Sequence, residues 1–378
     1  MGRHSWIAYL FSITSAIGVG VLGAYAGLAV VYSISRLIVR PSVADIEVQL
    51  TGQKAASATA ALERISSDNP VTPVSLTEAQ TAVVGMGDIA PVTYSSTTIL
   101  AFVGDLMFDR GVDQAVKRNG GGDYGWIFAD TAKLADADIL FGNLEGPVSD
   151  RGRDGGSAYS FRMEPALLPV LRQQGFDVLS VANNHAGDWG IAAFGDSLDR
   201  LAEQGFLAVG GGANYFAAAE PRIIEKNGVK FGWLGFSDVG PDWLRAGSST
   251  PGLLAAADPR TPELIKKAAE KSDVLIVSFH FGDEYEALPN WRQKQLAKMA
   301  IERGAKIVVG HHPHVVEPVE TYKNGLIMYS LGNFVFDQYF STSTMQGLAV
   351  KVIMRGDKIE CVENLKTKLD WKFRVRVE

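Results

Sequence analysis

Cysteine is almost absent from this 378-residue chain. The single Cys361 excludes an internal disulfide and any metal site built from several thiolates. It is expected as a small apolar residue buried in a strand. A basic excess is also missing. Lys and Arg number 36 against 42 Asp and Glu, a formal charge of -6 at pH 7, so there is no broad cationic face and no nucleic-acid partner is expected. Two catalytic signatures do not occur: no GxSxG elbow and no GxxxxGK[ST] loop, which leaves serine-esterase and P-loop chemistry without support. Histidine is scarce, with six residues, and its distribution is therefore informative.

What is present begins with a long apolar run. From Ser5 to Ser35 no side chain ionises except tyrosine, longer than the roughly 20 residues a spanning helix needs and longer than a secretory core of about 7 to 15. Residues 1–40 are read as an uncleaved membrane anchor. Gly18 to Gly23 spells GxGxxG but lacks a strand-turn-helix setting, so it is not a dinucleotide loop. Gly23 and Gly27 form a GxxxG pair that suits helix packing in a bilayer or simply reflects the glycine content of membrane helices. Arg36 and Arg40 against Arg3 and the amino terminus give almost no orientation bias. Residues 41–97, rich in Ala, Ser, Thr, Val and Pro, read as a stalk.

From Thr98 short apolar runs alternate with helical periodicity, the pattern of an α/β domain over 98–364, followed by a tail at 365–378. The runs are Ile99–Val103, Ile139–Phe141, Val178–Val181, Phe231–Phe236, Val274–Phe279 and Ile307–Val309. Helical spacing fits Pro165–Gln174, Ile191–Gln204, Pro262–Lys271 and Trp291–Glu302. After His314 strand follows strand, with turn signals at Lys323-Asn324-Gly325 and Arg355-Gly356-Asp357. The sheet therefore begins mixed or parallel and ends antiparallel.

Chemistry-bearing residues fall directly after the apolar runs. They are Asp105; Asn143 and Glu145; Asn183, Asn184, His185 and Asp188; Asp238; His280, Asp283 and Glu284; and His311, His312 and His314. In open α/β sheets ligands bind beyond the carboxyl ends of strands, so these loops should converge. Five of the six histidines lie on them. Oxygen and imidazole donors without thiolate suit manganese, zinc or iron better than an all-oxygen calcium cage. The number of donors exceeds one tetrahedral zinc site and points to one or two divalent ions, a set suited to phosphate ester hydrolysis. Gly210-Gly211-Gly212 ahead of a helical Tyr215–Ala219 is either an anion loop or a flexible turn. Glu145 and Glu284 as a glycosidase pair would leave the histidines unexplained.

The series GDLMFDR, GNLEGPV, ANNHAGDWG, SFHFGDEY, GHHPHVVEP and MYSLGNFVFDQ resembles the CapA family of capsule and poly-gamma-glutamate synthesis proteins, over about Thr98 to Met354. The resemblance implies a calcineurin-like metallophosphoesterase sandwich, two mixed sheets flanked by helices, behind an N-terminal transmembrane helix. It also implies an extracytoplasmic domain that acts on an anionic exopolymer or phosphoester with capsule-synthase membrane subunits as partners. By motif position, Asp105, Asn143, Glu145, Asn184, His280, His312 and His314 are the implied metal ligands, Glu145 preferred over Asn143. His185 is the implied acid, joined by Asp238 among the catalytic groups, while Asp238 and Asn333 orient ligands. His311 stands outside the ligand set. Met107 occupies the position where the superfamily has a histidine ligand. The family reading is a metal-dependent hydrolase, with a non-catalytic metal-binding scaffold as the alternative.

Overall fold

The computed structural model describes residues 96–378; the expected anchor and all but the last two residues of the expected stalk lie outside the described residues. Among the described residues no helix is long and apolar enough to cross a membrane.

Two mixed sheets are stacked face to face. The first runs in the order β2 (Phe128–Asp130), β17 (Val375–Val377), β16 (Lys358–Leu369), β15 (Gln346–Arg355), β1 (Thr97–Leu106), β3 (Ile139–Leu144), β4 (Phe176–Ser180), β5 (Leu207–Val209), with β14 (Asn333–Val335) beside the end of β1. The second runs β12 (Val319–Tyr322), β13 (Gly325–Met328), β11 (Ala305–His311), β10 (Val274–His280), β8 (Val229–Ser237), β7 (Arg222–Lys226). β6 (Gly211–Gly212) and β9 (Gly252–Leu253) form a small separate ribbon. β1, β3, β4 and β5 are parallel, as are β8, β10, β11 and β13. Pairing turns antiparallel at β15, β16 and β17.

The alternation of a strand explains the layers. Leu100, Phe102, Ile139, Phe141 and Val178 of the first sheet meet Phe231, Trp233, Ile276, Ile307 and Val309 of the second in one buried cluster. Phe141 stacks on Trp233 at 5.5 Å between ring centroids, and Phe102 contacts both at 6.0 Å. Burying side chains of this size contributes about 2 kcal/mol each. The opposite faces are covered by helices. α1 (Arg110–Asn119), α2 (Leu167–Gln173) and α3 (Gly190–Glu203) contribute Val112, Leu171 and Phe194 to the outer core of the first sheet. α4 (Tyr215–Ala219), α5 (Thr261–Ala269) and α6 (Trp291–Glu302) contribute Ala218, Ile265 and Leu296 to that of the second.

Three local expectations change. The assigned tail 365–378 is part of the first sheet: β16 continues to Leu369, and Leu365, Leu369, Val375 and Val377 are buried. Cys361 lies in a strand but is exposed. α1 was not expected, because only Val112, Ala115 and Val116 of its ten residues are buried apolar positions.

Glu317 carries a stability prediction. It is 2% exposed, accepts a 2.6 Å hydrogen bond from Gln293 of α6 through Oε2, and leaves Oε1 without a partner among the described residues. Burial pushes its carboxyl up to about 7, outweighing the lowering effect of Gln293. A raised acid favours the folded state at low pH, and that advantage is lost as pH rises from the unfolded value through about 7. Glu317→Gln is therefore expected to stabilise the chain by about 2 kcal/mol at pH 8 and by little at pH 4.5, read as melting temperature at the two pH values. Equal shifts at both would contradict it.

Candidate metal centre

The centre is built where the parallel strands of both sheets end. Asp105 is the penultimate residue of β1, and its N–H donates to Gly332 at 2.9 Å. That approach needs Gly104, since a Cβ there would lie 1.9 Å from the Gly332 oxygen. Asn143 is the penultimate residue of β3, in register with Asp105. The chain then places Glu145, whose N–H donates to Leu106 at 2.9 Å. β10 ends at His280 and β11 at His311, which are paired in the ladder. Beyond β11 the backbone turns sharply around Pro313, and His312 and His314 both take left-handed φ values, 102° and 58°. Non-glycine residues are rarely held this way, and such strain gathers at functional sites. The His312 N–H reaches across to Asp105 Oδ2 at 3.4 Å, tying the second sheet to the first.

The side chains converge on Asp105, which has no exposed surface. Its Oδ1 accepts from Asn143 Nδ2 at 2.8 Å and lies 3.2 Å from His311 Nδ1; its Oδ2 lies 3.3 Å from His314 Nδ1. His314 Nε2 is 3.6 Å from Glu145 Oε1, and its Nδ1 is 3.0 Å from Asn333 Oδ1. The His280 and His312 rings are 4.8 Å apart, and His280 Nε2 donates to Asn184 Oδ1 at 2.7 Å. His185 lies at the rim. Its Nδ1 is 2.7 Å from Asp188 Oδ2, which also accepts the Phe161 N–H, so Nδ1 carries the proton and Nε2 is left to the cleft.

Burial and crowded charge set the protonation states. Burial alone would raise the Asp105 carboxyl, yet hydrogen bonds and charge from His311 and His314 hold it well below the usual carboxylate range. Glu145 is pushed well above that range, by burial first and then by the Asp105 charge. His280 is lowered by burial and by His312. His312 is lowered to about 4 by burial and by the neighbouring His314. His314 moves the other way, to about 9, because Glu145 and Asp105 outweigh the burial that would lower it.

The donor set fits a divalent cation. Ligand atoms of Asp105, Glu145 and His314 lie within 4.8 Å of one another, as do those of Glu284, His312 and His314, so His314 belongs to two adjoining groups. Glu145 Oε1 and His312 Nδ1 are buried without hydrogen-bond partners among the described residues. Buried polar atoms are almost always satisfied, and both of these belong to residues of the two oxygen and imidazole donor groups.

The residues anticipated from the sequence are brought together with one exception. Asp238 is engaged elsewhere: Arg292 grips its two oxygens at 2.8 and 2.9 Å, and its link to the centre is a backbone N–H donated to the His280 carbonyl. Its carboxylate is thus held by Arg292 and is not among the groups that converge on Asp105. Asn143 turns its amide nitrogen, not its oxygen, toward Asp105, Glu145 and His280, while its oxygen accepts from Asn183. It organises the acceptors as arranged. His311 is 1% exposed and packs on Phe141, so it supports Asp105 from within. Met107 is fully buried among apolar side chains, with the Asp109 N–H directed at its sulfur.

Sequence reasoning gave no ligand role to Glu284 and no partner role to Asp188. Asp188 stands three residues after His185, and that spacing was the available signal. Glu284 is exposed on a loop, where only the fold reveals its proximity to His312.

A cleft of about 220 Å³ opens over His185 and His314, walled by Tyr159, Phe161, Tyr285, Phe336 and Phe340. Fold and site together define an α/β sandwich protein with a buried carboxylate–histidine centre at its strand ends. Residues 99–338 match the profile of the bacterial capsule synthesis protein family PGA_cap, and the chain belongs to that family. It is 38% identical over 251 residues to the PGA biosynthesis protein CapA of Bacillus subtilis, covering 65% of each chain. The match thus spans somewhat less than two thirds of that relative's length. With the capsule biosynthesis protein CapA of Bacillus anthracis the identity is 34% over 280 residues, 71% of this chain and 67% of the relative. Among solved structures, the calcineurin-like phosphoesterase YfkN from Bacillus subtilis aligns at a TM-score of 0.42 with 14% identity, over 72% of this chain and 90% of the other.

Proposed function

We propose that this chain is a membrane-anchored, extracytoplasmic, metal-dependent hydrolase of the phosphoesterase type that serves the synthesis, release or tethering of an anionic capsule polymer such as poly-gamma-glutamate, alongside membrane synthase subunits. The observation that carries the reading is the convergence of Asp105, Glu145, Glu284, His312 and His314 around buried polar atoms left without partners. These residues, with His280 and Asn184 behind them, would hold one or two divalent ions. Such an ion, when bound, would stabilise negative charge on the reacting oxygens. The protein's own groups supply the rest. Water's oxygen bonds to phosphorus as the ester P–O bond breaks; His185, held by Asp188 through Nδ1–H, gives a proton from Nε2 of its imidazolium form to the leaving oxygen, and the proton lost by the water restores that form. The aromatic walls of the cleft limit solvent access.

The test is metal content and hydrolysis of a simple phosphodiester by the purified full-length chain, before and after chelation. Activity that is lost on chelation and restored by manganese, zinc or iron supports the reading; a chain that never retains a divalent ion sinks it. A pH dependence accompanies it. In the metal-free chain His314 holds its proton up to about pH 9, so its stabilising contribution is complete below its unfolded value near 6.5 and is lost as pH rises through 9. Metal must displace that proton, so apparent affinity is expected to rise about tenfold per pH unit between 7 and 9. A flat affinity across that interval would contradict the assignment of His314.

Met107 favours a second reading. With methionine in the core where the superfamily has a ligand, the centre could grip polymer without turnover. A chain that binds metal yet hydrolyses no phosphoester, and whose role in polymer production survives loss of His185, would be such a scaffold.

A further inference from the structure

Among the described residues Arg110 is the one guanidinium lining the cleft above the metal centre, and its surroundings are specialised. It is the first residue of α1 yet has a left-handed φ of 50°, a conformation unfavourable for a long side chain. Three contacts hold it there. Its N–H donates to the Asp109 carboxylate at 2.7 Å, its Nη2 pairs with Asp337 Oδ1, and the other Asp337 oxygen accepts the Gly111 N–H at 3.0 Å. Asp337 thus fastens both the guanidinium and the backbone turn beneath it. The guanidinium also lies 4.5 Å from the centre of the Phe161 ring, and the same ring lies 3.9 Å from the centre of the His185 imidazole. The cation is therefore one shared aromatic contact away from the acid of the proposed reaction. Arg110 Nε is buried with no hydrogen-bond partner among the described residues.

An arginine needed only for stability would not require a strained backbone at the mouth of a cleft. Asp337 takes Nη2 alone of the guanidinium, since its other oxygen is committed to the Gly111 N–H, and this leaves terminal N–H donors for an incoming group. A planar guanidinium fixed in this way matches a carboxylate, which accepts two parallel hydrogen bonds. We propose that Arg110 is a specificity-determining residue that receives a carboxylate of the substrate beyond the reacting bond, with Asp337 as its positioning residue. The inference rests on the hydrolase reading of the same cleft, and it selects within that reading for a substrate bearing carboxylates along its length.

The experiment measures binding by calorimetry to the full-length, metal-loaded chain, using a γ-linked glutamate tetramer, the same tetramer with its carboxylates amidated, and inorganic phosphate. Arg110→Gln is expected to weaken the acidic tetramer roughly tenfold to a hundredfold, while Arg110→Lys recovers part of the loss. The amidated tetramer is expected to bind wild type and variant equally weakly. Metal content and phosphate binding should change less than about twofold. The proposal is overturned if Arg110→Gln leaves tetramer affinity unchanged, if phosphate rather than the tetramer loses affinity, or if the amidated tetramer binds wild type as well as the acid does. Absence of bound metal in wild type would instead fail the underlying hydrolase reading, and that outcome is read separately from metal content.

Discussion

Asp105→Asn is expected to reduce metal content and phosphodiester hydrolysis by more than about a hundredfold, since even groups that only orient metal ligands cost tenfold to a hundredfold when removed. The residue has no exposed surface, and His311, His314, Asn143 and the His312 N–H all face its two oxygens. An amide of nearly the same shape removes the charge and turns a donor toward at least one of these groups. The metal-free variant is also expected to lose about 3 kcal/mol of stability at neutral pH, because a protonated His314 would lose the Asp105 charge and keep only Glu145 and the exposed Glu284 near it. The sign follows from the depressed carboxyl. Its contribution is present above the unfolded value near 4 and disappears as pH falls through the folded value, so wild type and variant should converge in acid. Metal analysis together with melting curves at pH 7 and pH 3 checks both parts. Normal metal content in the variant would remove Asp105 from the centre.

His185→Asn is expected to lower turnover by roughly a hundredfold to ten-thousandfold with metal content unchanged. The substitution leaves the buried groups around Asp105 in place, because His185 lies at the rim and is tied to Asp188 and Phe161. The leaving group provides the decisive readout. A phenolate of low basicity departs without a proton, so the variant should lose little on a nitrophenyl ester and most of its rate on an alkyl ester. Asp188→Asn should follow the same pattern with a smaller loss, since it disturbs the tautomer of the imidazole and leaves its nitrogen in place. Equal losses on both esters would assign His185 to binding and not to proton transfer.

Much of the site was legible because its residues follow apolar runs that can only be buried strands, and parallel strands bring their carboxyl ends to one edge. Asp105, Glu145, Asn184, His280, His312 and His314 could be named from that pattern and from the motifs. Asp238 follows the same pattern, yet its carboxylate is taken by a partner that the pattern does not name. Its partner Arg292 belongs to a helix more than fifty residues away, and no local signal announces a bidentate pair. The first sheet was underestimated at its end for a similar reason: β17 is three residues long and is a strand only because β16 and β2 flank it.

The sequence by itself determined the main central strands and helices and the loops that hold the chemistry, because hydrophobic period and turn residues are local properties of the chain; it did not reveal α1 or β17. Tertiary structure alone decided what those loops mean to one another. It brought exposed Glu284 beside His312, faced the Asn143 amide toward the carboxylates, and set Arg110 against Asp337 and Phe161. Such pairings depend on how two sheets stack and how charges share a buried volume. Charge interactions act through space, between residues that spacing along the chain does not relate.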